Sequence, residues 1–188
     1  NNHKTPILGA NDGASGVGVL MEMARCLKLK PQKTGVDIVF FDVEDQGCPE
    51  WDKTDIQDQS DWCLGAQYWS THTHVPFYQA NYGILLDMVG YSNARFAKET
   101  QSMNYASSIM DKIWKIAEDR GFSNMFVNEN TGGVMDDHIY VNKDAKIPMI
   151  DIVNHDPTTS FFTYWHTVKD DINCISKKTL KAVGDVCL

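Results

Sequence analysis

Cysteine is scarce and scattered. Cys26, Cys48, Cys63, Cys174 and Cys187 have neither the paired spacing of a zinc knuckle nor the density of a disulfide scaffold. Cys48 and Cys63 flank one loop and are placed to close it, which would suit an oxidising compartment. An odd count leaves at least one thiol free, and Cys26, within a helical pattern, reads as small buried filler. Positive charge is also thin. Lys and Arg number 17 against 25 Asp and Glu, for a net charge of -8, and no basic cluster stands out. That excludes the cationic footprint a nucleic-acid partner requires. No apolar run approaches the length of a bilayer span, so no integral membrane segment is expected. Asn1, Asn2, His3 and Lys4 lack signal-peptide character, and no initiator Met stands at the start. The following Thr5, Pro6, Ile7, Leu8 and Gly9 read like protein interior, so an upstream part is expected. No repeat, low-complexity tract or linker divides residues 1–188, which are read as one domain.

What the chain does have is a set of apolar runs that end in acids. Residues 36–47 hold Val36, Ile38, Val39, Phe40, Phe41 and Val43 between two glycines, which predicts a buried strand presenting Glu44 and Asp45 at its carboxyl end. Adjacent side chains on an extended backbone point opposite ways, so these two carboxylates can serve different tasks. Upstream, a Gly-rich turn around Asp12 enters a helix with apolar residues at 17, 20, 21, 24 and 27, stopped by Pro31. Taken alone, Asp12 is an N-cap; the small residues beside it also permit close approach of a ligand. A second strand, residues 82–90, carries Asp87 near its end, and acids seldom sit in such runs unless paired.

The remaining pattern alternates helices and strands. A helix is expected over residues 61–69, and His72 and His74 beyond it read as solvent-exposed. An amphipathic helix over residues 103–120 is stopped by Gly121, and a loop rich in Asn and Gly leads to Asp136, Asp137 and His138. A strand at residues 147–153, a loop with Phe161, Trp165 and His166, and a helix capped by Ser176 complete the chain. This alternation predicts an α/β fold of three layers, α/β/α, with a mixed, mostly parallel central sheet.

The loops at strand ends thus offer Asp12, Glu44, Asp45, Asp87, Asp136, Asp137 and His166. Each has an ordinary structural explanation by itself. Together they are the donor types of a catalytic zinc, which keeps three protein ligands and one open position.

Four stretches, residues 9–16, 40–45, 85–90 and 165–167, resemble the signatures of the zinc exopeptidases of the M28 clan. Met135 to Ile139, the run from Trp165 and His166 to Asp170 and Asp171, and Trp51 after the acid pair are similar to glutaminyl cyclases of the animal type and their bacterial relatives. The resemblance implies a zinc exopeptidase-like fold and one zinc held by Asp12, Asp45 and His166. It implies Glu44 as proton shuttle beside Asp87 and Asp136, with Trp51, Phe161 and Trp165 lining the pocket. Its substrate would be a peptide or protein with N-terminal Gln, closed to pyroglutamate with loss of ammonia, and export to the periplasm or beyond is expected. Two positions depart from the animal pattern: Asp45 stands where those cyclases have Glu, and Asp151 where they have His. The alternative is an M28-type dizinc aminopeptidase, with Asp12 bridging two ions and Asp87 a ligand. That site needs one more His from an upstream part. A metal-free binding domain would be expected to have replaced at least one of Asp12, Glu44, Asp45 and His166, and all four are present.

Overall fold

The computed structural model describes residues 5–30, 32–45, 47, 61–158 and 160–188. Five α-helices occur among them: α1 (Ala14–Leu29), α2 (Leu64–Thr71), α3 (Thr100–Asp119), α4 (Asp137–Lys143) and α5 (Lys177–Cys187). Six strands accompany these: β1 (Gly83–Asp87), β2 (Phe96–Glu99), β3 (Phe126–Thr131), β4 (Met149–Val153), β5 (His155–Asp156) and β6 (Ser160–Phe161). A short 3-10 helix covers Ile172–Cys174. No described helix is long and apolar enough to cross a membrane.

β1 and β4 form the central parallel pair, with Ile84 opposite Ile150, Leu85 opposite Asp151 and Asp87 opposite Val153. Alternation along a strand then separates two faces. Leu86, Ile150 and Ile152 meet Val19 and Met23 of α1, Met110, Ile113 and Trp114 of α3, and Val183 of α5 in one apolar cluster. On the other face Met149 and Leu85 meet Val141 of α4 and Trp69 of α2. Helices on both sides of parallel strands make the expected α/β fold. Within the described residues the strands fall into three two-stranded pieces, β1 with β4, β2 parallel to β3, and β5 antiparallel to β6.

Local chemistry accounts for the helix ends. Glu99 caps α3 by accepting the N–H groups of Gln101 at 2.7 Å and Ser102 at 2.6 Å, and it also takes that of Val134 at 2.8 Å. Gly121, at φ +80, ends the same helix in the left-handed region. The Trp114 indole N–H donates to the Val127 carbonyl at 2.9 Å, joining α3 to β3. Ser176 caps α5 as expected, accepting from Thr179 N–H.

Three expectations need correction. Residues 36–43 pair with no strand among the described residues, and Val36, Phe40 and Val43 are 50%, 55% and 40% exposed. A strand exists only where a neighbour completes its ladder. Here a cavity of about 450 Å³ lies between residues 37–41 and β1. The segment is therefore an arm, not the buried centre of the sheet. Second, the Asn- and Gly-rich loop after α3 contains β3, whose Phe126 and Val127 are buried while Asn128, Glu129 and Asn130 face out. Third, the N-cap of α1 is Gly13 and no side chain caps that helix, which leaves the Asp12 carboxylate free.

Candidate metal centre and acid cluster

The turn carrying Asp12 is fixed from two sides. Asp170, fully buried, accepts the Asn11 N–H at 2.7 Å and the Asp12 N–H at 3.0 Å. Asn11 Oδ1 accepts the Gly90 N–H at 2.7 Å, and the Ser15 hydroxyl accepts the Val89 N–H at 2.9 Å. The start of α1 is thereby tied to the chain just beyond β1. Contact is close enough that a Cβ on Gly16 would stand 2.1 Å from the Leu86 carbonyl oxygen, which is why this helix position is glycine.

Glu44 and Asp45 arrive on the arm, and the start of α2 holds them there. The N–H groups of Cys63, Leu64 and Gly65 donate to the carbonyls of Glu44, Val43 and Asp42 at 2.9, 3.1 and 3.1 Å. These are the donors a helix leaves unsatisfied at its beginning, so the clamp costs no other bond. A Cβ on Gly65 would lie 2.4 Å from Asp42 O. Val43 adopts φ +54, an uncommon conformation for a β-branched residue, and the bend turns the following acids out of the arm's line. Met88 and His166, also beside the site, have φ +51 and +54. Backbone strain of this kind persists where surrounding contacts enforce it.

These constraints bring Asp12, Asp45 and His166 together, with their ligand atoms all within 4.8 Å of one another. His166 Nε2 stands 3.5 Å from Asp12 Oδ2 and 3.4 Å from Asp45 Oδ2. Two carboxylates and an imidazole with an open side are the donor set of a catalytic zinc, and the cluster fits such an ion. Electrostatics agree. Burial and the neighbouring Asp45 push Asp12 up to about 6, as expected of a site short of positive charge. The hydrogen bond between His166 and Asp45 lowers the acid and raises the imidazole.

Beside this lies the acid cluster. Glu44, Cys63 and Asp136 also have their ligand atoms within 4.8 Å of one another. Burial, then Asp136, Asp45 and Asp137, push Glu44 up to about 9. Asp136 caps α4, accepting the Asp137 N–H at 2.6 Å, and burial raises it as well. Asp87, at the end of β1, borders the same cavity and is held well above the carboxylate range by burial and by Asp136. Burial and Asp136 likewise push Asp137 up to about 8.

The Phe161 and Trp165 rings lie tilted against each other with centroids 4.4 Å apart, and Trp165 stacks on His166 at 4.0 Å. Of the three aromatic residues expected to line a pocket, Phe161 and Trp165 form two neighbouring rings that lead to the imidazole. Trp51 and Cys48 lie outside the described residues. Cys63, which the sequence places where it could close a loop with Cys48, carries a free thiol turned toward Glu44 Oε1 at 3.8 Å. Sequence reading gave no task to Asn11, Ser15 or Asp170. Their one sequence signal is Asp170, four residues after His166 in the run that carries the resemblance.

The family model for peptidase family M28 matches residues 2–188. A Zn-dependent exopeptidase from Parabacteroides distasonis is similar in structure, with TM-score 0.93 and 49% identity over 98% of this chain and 63% of that one. A glutaminyl cyclase from Bacteroides thetaiotaomicron, bound to N-acetylhistamine, gives TM-score 0.95 and 47% identity over 99% and 63%. Aminopeptidase YwaD of Bacillus subtilis is 29% identical over 184 residues, 95% of this chain and 36% of the relative. The chain spans less than two thirds of the length of each. With matched motifs, fold and family model in agreement over nearly its whole length, the chain belongs to peptidase family M28.

Proposed function

We propose that the protein is a zinc-dependent glutaminyl cyclase, acting outside the cytoplasm on peptides or proteins with N-terminal Gln and releasing pyroglutamyl products and ammonia. The observation that carries this reading is the pairing of one three-donor cluster with a separate set of proton-holding acids. Asp12, Asp45 and His166 would hold the zinc, and Glu44 with Asp136 stands beside them without joining that set. When bound, the ion supplies Lewis-acid polarisation of a carbonyl oxygen.

The chain's own residues account for the rest of the reaction. Nucleophile and electrophile belong to one Gln residue, so much of the barrier is conformational, and a site that holds the chain folded lowers it. Phe161 and Trp165 offer two adjoining aromatic faces against which the Gln side chain is oriented and water excluded. Glu44 takes a proton from the attacking α-amine and returns it to the departing amide nitrogen, so ammonia leaves and the shuttle ends as it began. A carboxyl that both accepts and returns a proton should titrate near working pH. Burial and the charges of Asp136, Asp45 and Asp137 raise Glu44 in that direction.

A dizinc aminopeptidase is the second reading, favoured by the position of Asp87 on the same cavity as Asp12. Among the described residues, however, Asp87 joins neither group of close ligand atoms. Incubating the full-length protein with a Gln-initiated peptide and a Leu-initiated one separates the two. Ammonia from the first and no leucine from the second is expected; free leucine without ammonia contradicts the cyclase.

A further inference from the structure

The short hairpin of β5 and β6 is anchored at several points. Just before it, Asn154 Oδ1 accepts the backbone N–H of Arg95 at 2.9 Å. The buried Asp156 receives the Arg95 guanidinium on one carboxylate oxygen and, on the other, the Thr158 N–H at 2.8 Å. That guanidinium also reaches Glu129 of β3 at 3.2 Å. The hairpin is thereby fixed to β3 and to the residue ahead of β2.

This anchorage holds His155, which no part of the mechanism uses. His155 stands opposite Phe161 across the antiparallel pair, their rings edge to face with centroids 4.9 Å apart. Phe161 meets Trp165 and Trp165 meets His166, so His155 is the far end of a row of four rings that leads to the metal-site imidazole. Its Nδ1 lies 2.7 Å from the hydroxyl of Thr131, which is buried and has no other partner among the described residues. A buried hydroxyl gives its proton to such an acceptor, and the ring hydrogen then sits on Nε2. Burial holds the imidazole below its ordinary range, so the ring is neutral and carries that one N–H. Beside Nε2, at 3.5 Å, stands the hydroxyl of Ser160, exposed and too distant for a strong hydrogen bond. Ser160 also has φ +64, a conformation that persists only where its surroundings enforce it. Two donors are thus presented side by side, and neither has a close protein acceptor among the described residues.

We propose that His155 and Ser160 form a specificity-determining subsite for the second residue of the substrate, donating Nε2–H and O–H to its carbonyl oxygen. A peptide advances about 3.3–3.6 Å per residue when extended, so a chain whose first residue lies against Trp165 and His166 carries its next carbonyl outward along the ring row. A neutral acceptor suits the place better than a carboxylate, because Asp156 is the next residue and Glu129 shares its arginine. The choice of Gln as first residue rests on the cyclase reading, whereas a second-residue subsite serves a cyclase and an aminopeptidase alike.

The test is kinetic, on the zinc-loaded, full-length protein with Gln-NH2 and Gln-Ala-NH2, of which the second alone carries the additional carbonyl. The native protein should prefer the longer substrate in kcat/KM, and His155→Ala should reduce that preference by about 3- to 10-fold, the range of one or two neutral hydrogen bonds. A structural disturbance moves both substrates together and leaves their ratio alone. His155→Gln keeps an N–H and should retain most of the preference. No preference in the native protein, or the same preference in His155→Ala, would overturn the subsite. A His155→Gln variant that loses as much as His155→Ala would overturn the donation. Should the Ala variant fail to fold, Ser160→Ala carries the test, with a smaller loss of preference expected and an unchanged ratio counting against the proposal. If neither substrate yields ammonia, the cyclase reading fails, and the same loss of preference is expected for leucine release from Leu-NH2 and Leu-Ala-NH2.

Discussion

Two parts of this molecule carry acids to one place by opposite means. β1 and β4 are a parallel pair packed by helices on both faces, and Asp87 and Asp151 ride on that rigid frame. The arm of residues 36–45 has no ladder among the described residues, half-exposed apolar side chains, and a cavity along its flank. It is held at one end by the start of α2 and, farther back, by the Tyr78 hydroxyl donating to Asp37 Oδ2 at 2.9 Å. Both parts are apolar runs with acids at the carboxyl end. Position in the first is secured by packing on both faces, and in the second by a few hydrogen bonds, one close contact at Gly65 and the single ring of Phe41 set against Trp69.

The largest effect is expected at the tip of the arm. Glu44→Gln keeps shape and removes the proton carrier, so turnover should fall by about 10²–10⁴-fold while bound zinc, by metal analysis, stays unchanged. An active variant would take Glu44 out of the proton-transfer task.

The next contrast sets one glycine against another. Gly65→Ala forces a Cβ against Asp42 O, moves the arm, and should cost most of the activity with little change in Tm. Gly16→Ala meets Leu86 O at the frame and should lower Tm. Ile150→Ala, fully buried in β4, should cost about 2–5 kcal/mol in denaturant unfolding. Equal Tm losses for Gly65→Ala and Gly16→Ala would mean that the arm is as much a part of the folded frame as β1.

A smaller effect follows from pH. Glu44 and Asp137 are pushed up to about 9 and about 8, so both bind protons more tightly folded than unfolded. Their contribution favours the fold below the unfolded carboxyl values near 4 and is lost as pH rises toward 8 and 9. Metal-free protein should therefore lose Tm across that window, and Asp137→Asn should flatten the slope. The smallest change is expected from Tyr78→Phe, which releases one exposed hydrogen bond. Tm should barely move, while amide exchange over residues 37–43 accelerates.

How far the sequence could be read depended on where each element finds its partners. β1, β4 and α3 were legible because their own periodicity matches the faces they bury. The arm carries the same apolar signal, yet strand identity belongs to a pair and cannot be read from one member. β3 was hidden by Asn128, Glu129 and Asn130, which face outward and look like loop. The ligand set Asp12, Asp45 and His166 was named through resemblance, and its members do stand together. The supports beneath it, Asp170 on Asn11 and Asp12 and the α2 N–H groups on Asp42 to Glu44, act through backbone contacts, which leave no periodic trace in side-chain pattern.

In the proposed cyclase the arm's Asp45 would join Asp12 and His166 around one ion while the frame's Asp87 remains an acid. Metal analysis of full-length protein and its Asp87→Asn variant tests this most directly. One zinc per chain in both is the predicted result; two in the native protein, falling to one in the variant, would contradict it.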